Sequence, residues 1–403
     1  MDDSKEKTEN KEKIEKAEKI EKTGKRAVPN KRKPIISVVL LAAALILSVA
    51  ARKAEGFAQW YSTHLYSLWV GSIGRILGVL PFSVSEMLLY LLLLGVLWRS
   101  GRAAAGRWKK VHMQDGRTTA KAGGRQFLSN KGSGWNILLL AAVLCFLYVV
   151  NCGINYHRES FSESSGIEAK EYTVEELEEV CRWLTQKVAD FSGEVERGKD
   201  GGMVLTVPPG DTAGKAMEML GQDYPELAGY YPQPKKLLNS WILSVQNLSG
   251  VYSPFTIEAN YNGDMQDYNI PFTACHELSH LRGFMQEQEA NFIAFLACSN
   301  SDEEAFAYSG YLMGWIQCMN VLYRTDYEVW EEVRGQLPAE VEPDLKLNRE
   351  FWAKYDGRIA EVSNRVNDTY LKANGQADGV KSYNRMVDLI VAYYQMMQCP
   401  AIV

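Results

Sequence analysis

Residues 271–298 read PFTACHELSHLRGFMQEQEANFIAFLAC, which sets two of the chain's five histidines, His276 and His280, four positions apart around Glu277. On a helix, positions i and i+4 project from one face, so both imidazoles can reach one ion. Glu277 stands about 100° round the helix from His276. Its carboxylate can there hold a water beside that ion and take its proton. Neutral imidazole ligands, with one coordination position left open for water, favour Zn2+, and the chemistry that follows is hydrolysis of a polarised carbonyl.

Such a site needs a third protein ligand. Gly283, three residues past His280, is a natural helix C-cap, and a second helix begins at once in QEQEANFIAFLACS. A tight reversal there returns the second helix's first turn toward the histidines. Glu287 shares its helix face with Ala290, Asn291, Ala294 and Cys298, small or polar residues that allow close helix approach, whereas Glu289 shares its face with Phe292, Ile293 and Leu296. Glu287 is therefore the expected third ligand and Glu289 the alternative or a supporting group, with Asn291 able to orient a ligand by hydrogen bonding. In NDTYLKANGQADGVKSY (367–383), Tyr370 and Tyr383 are candidate donors to the oxyanion of a tetrahedral intermediate. Residues 252–262 could form either an edge strand that pins an extended peptide or an ordinary strand. Cys275 points off the proposed metal face and reads as packing.

HELSH followed by EQEAN resembles the pairing of HExxH with a later ExxA[DN] helix in the Glu-ligand zincins, which include the membrane-embedded CAAX-type and heat-shock metallopeptidases. The resemblance implies that His276, His280 and Glu287 are metal ligands and Glu277 the base. It departs from those enzymes in spacing, because only six residues separate His280 from Glu287. Gln286 stands where the metzincin pattern HExxHxxGxxH has its third histidine. The wider chain is similar to an uncharacterised bacterial membrane family with an N-terminal membrane part and this motif in its C-terminal domain. That likeness runs over most of 50–395, through PFS, PFTIEANYN, HELSHLRGF and VNDTYLKANGQADGVKSY. It implies a fold and a site, not a substrate.

The elements that must position these residues divide by charge. Residues 1–156 carry 24 Lys and Arg against 11 Asp and Glu, and residues 157–403 carry 20 against 38. Residues 1–33 form a Lys/Glu low-complexity tail whose interleaved acids argue against nucleic-acid binding. Residues 34–156 form a membrane domain with spans near 34–51, 82–98 and 135–156, each an apolar run of spanning length. Nine cations in the 99–134 loop and the basic cluster before residue 34 place both on the cytoplasmic side. A multi-pass protein of the cytoplasmic membrane follows, with its C-terminal domain extracytoplasmic. The aromatic loop between the first two spans could lie in the lipid interface as a helix or pack on the spans.

Residues 157–403 read as a soluble domain, mainly helical, with helices expected at 173–191, 212–221, 272–282, 286–299, 302–323, 343–373 and 379–398. Strand signals fall at 202–208, 241–245 and 250–262. The seven scattered cysteines make neither a disulfide framework nor a metal knuckle. The expected fold is thus mainly α, three N-terminal transmembrane helices followed by an α+β zincin-like metallopeptidase domain. The expected function is a membrane-anchored zinc-dependent metallopeptidase acting on a peptide or protein substrate, with membrane lipid as its other partner. The alternative is a catalytically silent zincin-like receptor or scaffold; an intact Glu277 favours the enzyme, since a structural metal needs no base.

Overall fold

The computed structural model describes residues 32–113, 131–376 and 385–398. Its helices are α1 Arg32–Lys53, α2 Val84–Met113, α3 Lys131–Tyr148, α4 Val174–Ser192, α5 Pro209–Asp223, α6 Asn269–Leu281, α7 Glu287–Ser299, α8 Glu304–Thr325, α9 Tyr327–Arg334, α10 Glu342–Ala353, α11 Arg358–Ala373 and α12 Met386–Gln398. A helical run over 57–78 interrupts its α turns with π turns at Tyr61–Tyr66 and Val70–Gly74. Three short strands, β1 Lys235–Lys236, β2 Gly250–Ser253 and β3 Glu258–Tyr261, complete a mainly helical fold.

Two compact units divide the chain, one of Met1–Ala42 with Ala122–Val143, the other of Ala43–Lys121 with Leu144–Val403. Within the first, the Lys33 ammonium donates to the Asn136 side chain. The second holds the sheet, α2 and α4 to α12.

Three helical segments, Arg32–Lys53, Val84–Gly106 and Gly134–His157, are long and apolar enough to cross a membrane, which suggests a membrane protein. They coincide with the three runs expected from the sequence. The charged tail over 1–31 lies outside the described residues.

β3 lies at the centre of the sheet. It pairs parallel with β1, Lys235 opposite Asn260, and antiparallel with β2, Val251 opposite Asn260. Against this sheet packs α6, followed by α7 and α8, and α8 in turn packs on α4 through a hydrogen bond from the Trp315 indole to the Thr185 hydroxyl, 2.8 Å. Helix α6 is buried nearly all round, its polar side chains Thr273, Glu277 and His280 included.

The sheet is joined to the start of α2. The Glu258 carboxylate accepts from the backbone N–H groups of Val84 (3.0 Å) and Ser85 (2.9 Å), capping that helix, and forms a buried ion pair with Lys235 at 2.6 Å. From α2 the Glu86 carboxylate reaches back to the N–H groups of Leu238 and Asn239, 2.8 and 2.9 Å. Asn151, at the end of the third apolar segment, donates to the Pro254 carbonyl at 2.7 Å. Ile257, in the β2–β3 connection, adopts φ 53°, a left-handed conformation costly for a β-branched residue. Burial of its side chain beside Gly74 opposes that strain.

Several local expectations are corrected. GMVLTVP (202–208) forms no strand, only a single bridge between Arg197 and Met203. WILSV is one turn of helix, Trp241–Ser244, with Leu243 and Ser244 buried side by side; five residues are too short a run to tell strand from helix. The helix expected over 343–373 breaks between α10 and α11, where Gly357 is extended. The Asp326 side chain accepts from the Val329 N–H and starts α9, a helix not foreseen.

Candidate metal centre

Helix α6 starts at Asn269, so His276 and His280 both lie within it. The end of α6 does follow expectation. Gly283 sits at φ 100°, its N–H donating to the His280 carbonyl at 2.9 Å, and the Phe284 N–H reaches the Ser279 carbonyl at 3.1 Å. These two bonds make a Schellman cap, which needs the left-handed conformation that glycine supplies. The chain reverses over three residues and α7 begins at Glu287.

The reversal sets the Glu287 Oε2 3.4 Å from His276 Nε2 and 3.8 Å from His280 Nε2. The three candidate ligand atoms all lie within 4.8 Å of one another. The imidazole rings stand 4.6 Å apart and nearly perpendicular, at 84°. Atoms bound tetrahedrally to zinc at about 2.0–2.1 Å are separated by roughly 3.3 Å, so this donor set fits such an ion with little closure. His280 Nδ1 lies 2.9 Å from the Phe284 carbonyl, which can only accept, so Nδ1 carries the proton and Nε2 faces the centre. Burial acts to raise the Glu287 carboxyl, but the facing His280 charge and hydrogen bonds from both histidines outweigh it and hold Glu287 well below the usual carboxylate range. Burial likewise acts to lower His280, yet the Glu287 charge raises it to about 9.

Glu277 faces the same cavity from the next position of the helix. Burial pushes its carboxyl up to about 7, against the pull of His276 and His280. Its Oε2 and the Nδ1 of His276 are buried without a hydrogen-bond partner among the described residues. A buried carboxylate oxygen left open beside two imidazoles is the arrangement a water-activating base requires. The backbone of β2 closes over it at Gly250.

The remaining expected residues separate. Glu289 turns away and accepts from both the backbone N–H and the hydroxyl of Ser162, each at 2.9 Å, which secures the single-turn helix Phe161–Ser165. Asn291 lines the cavity one turn beyond Glu287, with no hydrogen bond to Glu287 or either histidine among the described contacts. Tyr370 also lines it, its hydroxyl 3.3 Å from that of Tyr156 and 3.4 Å from the Cys152 sulfur. Tyr383 lies outside the described residues.

Residues from the membrane-side segments complete the surroundings. Tyr66 donates to the Leu281 carbonyl at 2.9 Å and meets the Tyr252 hydroxyl at 2.7 Å. The Arg158 guanidinium donates to the Arg282 carbonyl at 3.2 Å and lies over the Phe284 ring. Both bonds satisfy carbonyls at the C-terminus of α6, where orphan acceptors and a negative dipole end gather. Tyr66, Tyr156 and Arg158 were not singled out from sequence; the only signal was their place beside apolar runs.

A cleft of about 1310 Å3 runs from the His276–Glu287 cluster along β2 to Ser85, at the start of the second apolar segment, and Tyr148, within the third. Residues 61–391 match a family described as "Protein of unknown function (DUF3810)". No curated protein and no solved structure matches the chain.

Proposed function

The chain belongs to this family of unknown function, DUF3810, and from its site we propose that it is a membrane-anchored zinc-dependent metallopeptidase with an extracytoplasmic, zincin-like domain. The observation that carries the reading is Glu277, a buried carboxylate with an open oxygen, set in a cleft beside three convergent donors. A structural metal has no use for such a base.

His276, His280 and Glu287 would hold the zinc, which when bound supplies Lewis acidity and lowers the pKa of water toward about 7. Glu277 accepts a proton from the attacking water and returns it to the leaving amine. The outer edge of β2, which is unpaired among the described strands, offers backbone groups to an extended peptide beside Glu277. Tyr370 and its neighbour Tyr156 present hydroxyls to the same cleft and are candidate oxyanion donors. Asn291 is available to orient Glu287 once the ligand moves onto an ion. The nine cations of the 99–134 loop support a cytoplasmic position for that loop, and hence an outer position for the cleft.

The test is zinc content of the full-length protein in micelles by elemental analysis, followed by a peptidase assay. One zinc per chain that is lost in His280→Ala supports the reading. A folded, metal-free wild type after growth in zinc would overturn it, and metal without hydrolysis would favour a receptor or scaffold.

A further inference from the structure

Two loops of the sheet region are fixed by hydrogen bonds to the ends of apolar helices. The Glu86 carboxylate, in the first turn of α2, takes the N–H groups of Leu238 and Asn239, and Asn151 holds the Pro254 carbonyl. This puts 237–242 level with the start of one membrane-length segment and 253–256 beside Asn151, near the end of another.

At those levels the loops expose large apolar side chains. Leu238 is 69% exposed, Trp241 54% and Phe255 44%. Their neighbours Leu237 and Leu243 turn inward, so the outward set is a pattern and not an unpacked core. Lys236, exposed just before them, adds a cation to the same loop, a charge suited to lipid phosphates. A rigid loop that carries an exposed Trp beside Leu and Lys, at the end of a spanning helix, has the composition of the headgroup boundary.

We propose that loops 237–242 and 253–256 are seated in the lipid headgroup layer at the Val84 end of α2, with Leu238, Trp241 and Phe255 inserted. The partner is the bilayer that the chain's own helices cross, so the inference rests on α2 being a span; it does not depend on a bound metal or on hydrolysis. Leu237, Val251 and Phe255 line the cleft, which therefore opens along the membrane surface.

The experiment uses the full chain in phosphatidylethanolamine–phosphatidylglycerol vesicles. Cys145 is exposed and Cys399 lies outside the described residues, so both are replaced by serine. An environment-sensitive fluorophore is then attached through Leu238→Cys, Phe255→Cys or, as a control on an exposed polar loop, Asp302→Cys. Insertion predicts several-fold stronger quenching of the labels at 238 and 255 than at 302 by lipids with a nitroxide near the headgroup, together with protection from aqueous iodide. Iodide quenching equal to that at 302 would overturn the proposal. Protection from both quenchers would overturn it too, since protein and not lipid would then cover the loops.

Discussion

A β-carbon on Gly250 would fall 2.4 Å from Glu277 Oε1 and 2.8 Å from Thr273 Cγ2. Strand β2 thus rests directly on the proposed base, and glycine is the one residue that leaves room for it.

Gly250→Ala is expected to push Glu277 from its place while leaving the histidines untouched. Peptidase activity should fall by about two orders of magnitude or more, since displacement of a catalytic group by an ångström has that effect. Zinc content should remain one per chain. Retained full activity would show that Glu277 has no positional role.

Glu277→Gln keeps the size of the side chain and removes the base. Hydrolysis should drop on the order of 10²–10⁴-fold, with metal retained by elemental analysis. Undiminished turnover would remove Glu277 from the mechanism.

The two acids of α7 should behave oppositely. Glu287→Ala should abolish zinc binding, because its carboxylate faces both histidines. Glu289→Ala should keep zinc and cost about 0.5–2 kcal/mol, the usual penalty for a lost helix-terminal acceptor, because it strips Ser162 of its partner. Metal analysis and denaturant melts of the two variants in micelles separate these roles, and loss of zinc only in Glu289→Ala would reverse the assignment.

Lys235→Met should destabilise the chain by about 3–5 kcal/mol, because it leaves the buried Glu258 carboxylate without its counter-charge. The double change Lys235→Met with Glu258→Gln should recover part of that loss. A single variant as stable as wild type would mean that the helix N–H groups of Val84 and Ser85 suffice to hold Glu258.

The helix pair of the site was legible because it is local. His276, His280, Gly283 and Glu287 lie within a dozen residues, and helix periodicity with a glycine cap leaves few ways to arrange them. Face composition separated Glu287 from Glu289, and in the structure Glu287 faces the two histidines while Glu289 accepts from Ser162. The partners from afar were not legible: Tyr66 meets Leu281, and Ser162 meets Glu289, across more than a hundred residues with no periodic signal between. Gly250 in particular reads in sequence only as the first residue of a strand signal, and only the approach of β2 to α6 gives it meaning. WILSV failed for a different reason, since a five-residue apolar run carries too few repeats to distinguish strand from helix.

The Glu258 cap on α2 has a temporal side. The Glu258 carboxylate, on the strand next to Gly250, obtains its charge partner from β1 and accepts its backbone hydrogen bonds from the first turn of a membrane-length helix. During synthesis that turn must be delivered to the sheet before β3 can bury a carboxylate without penalty. On the proposed reading, a copy whose helices are still in transit carries an unfinished base pocket. The sheet and the start of that helix thus complete one another, and neither is finished alone.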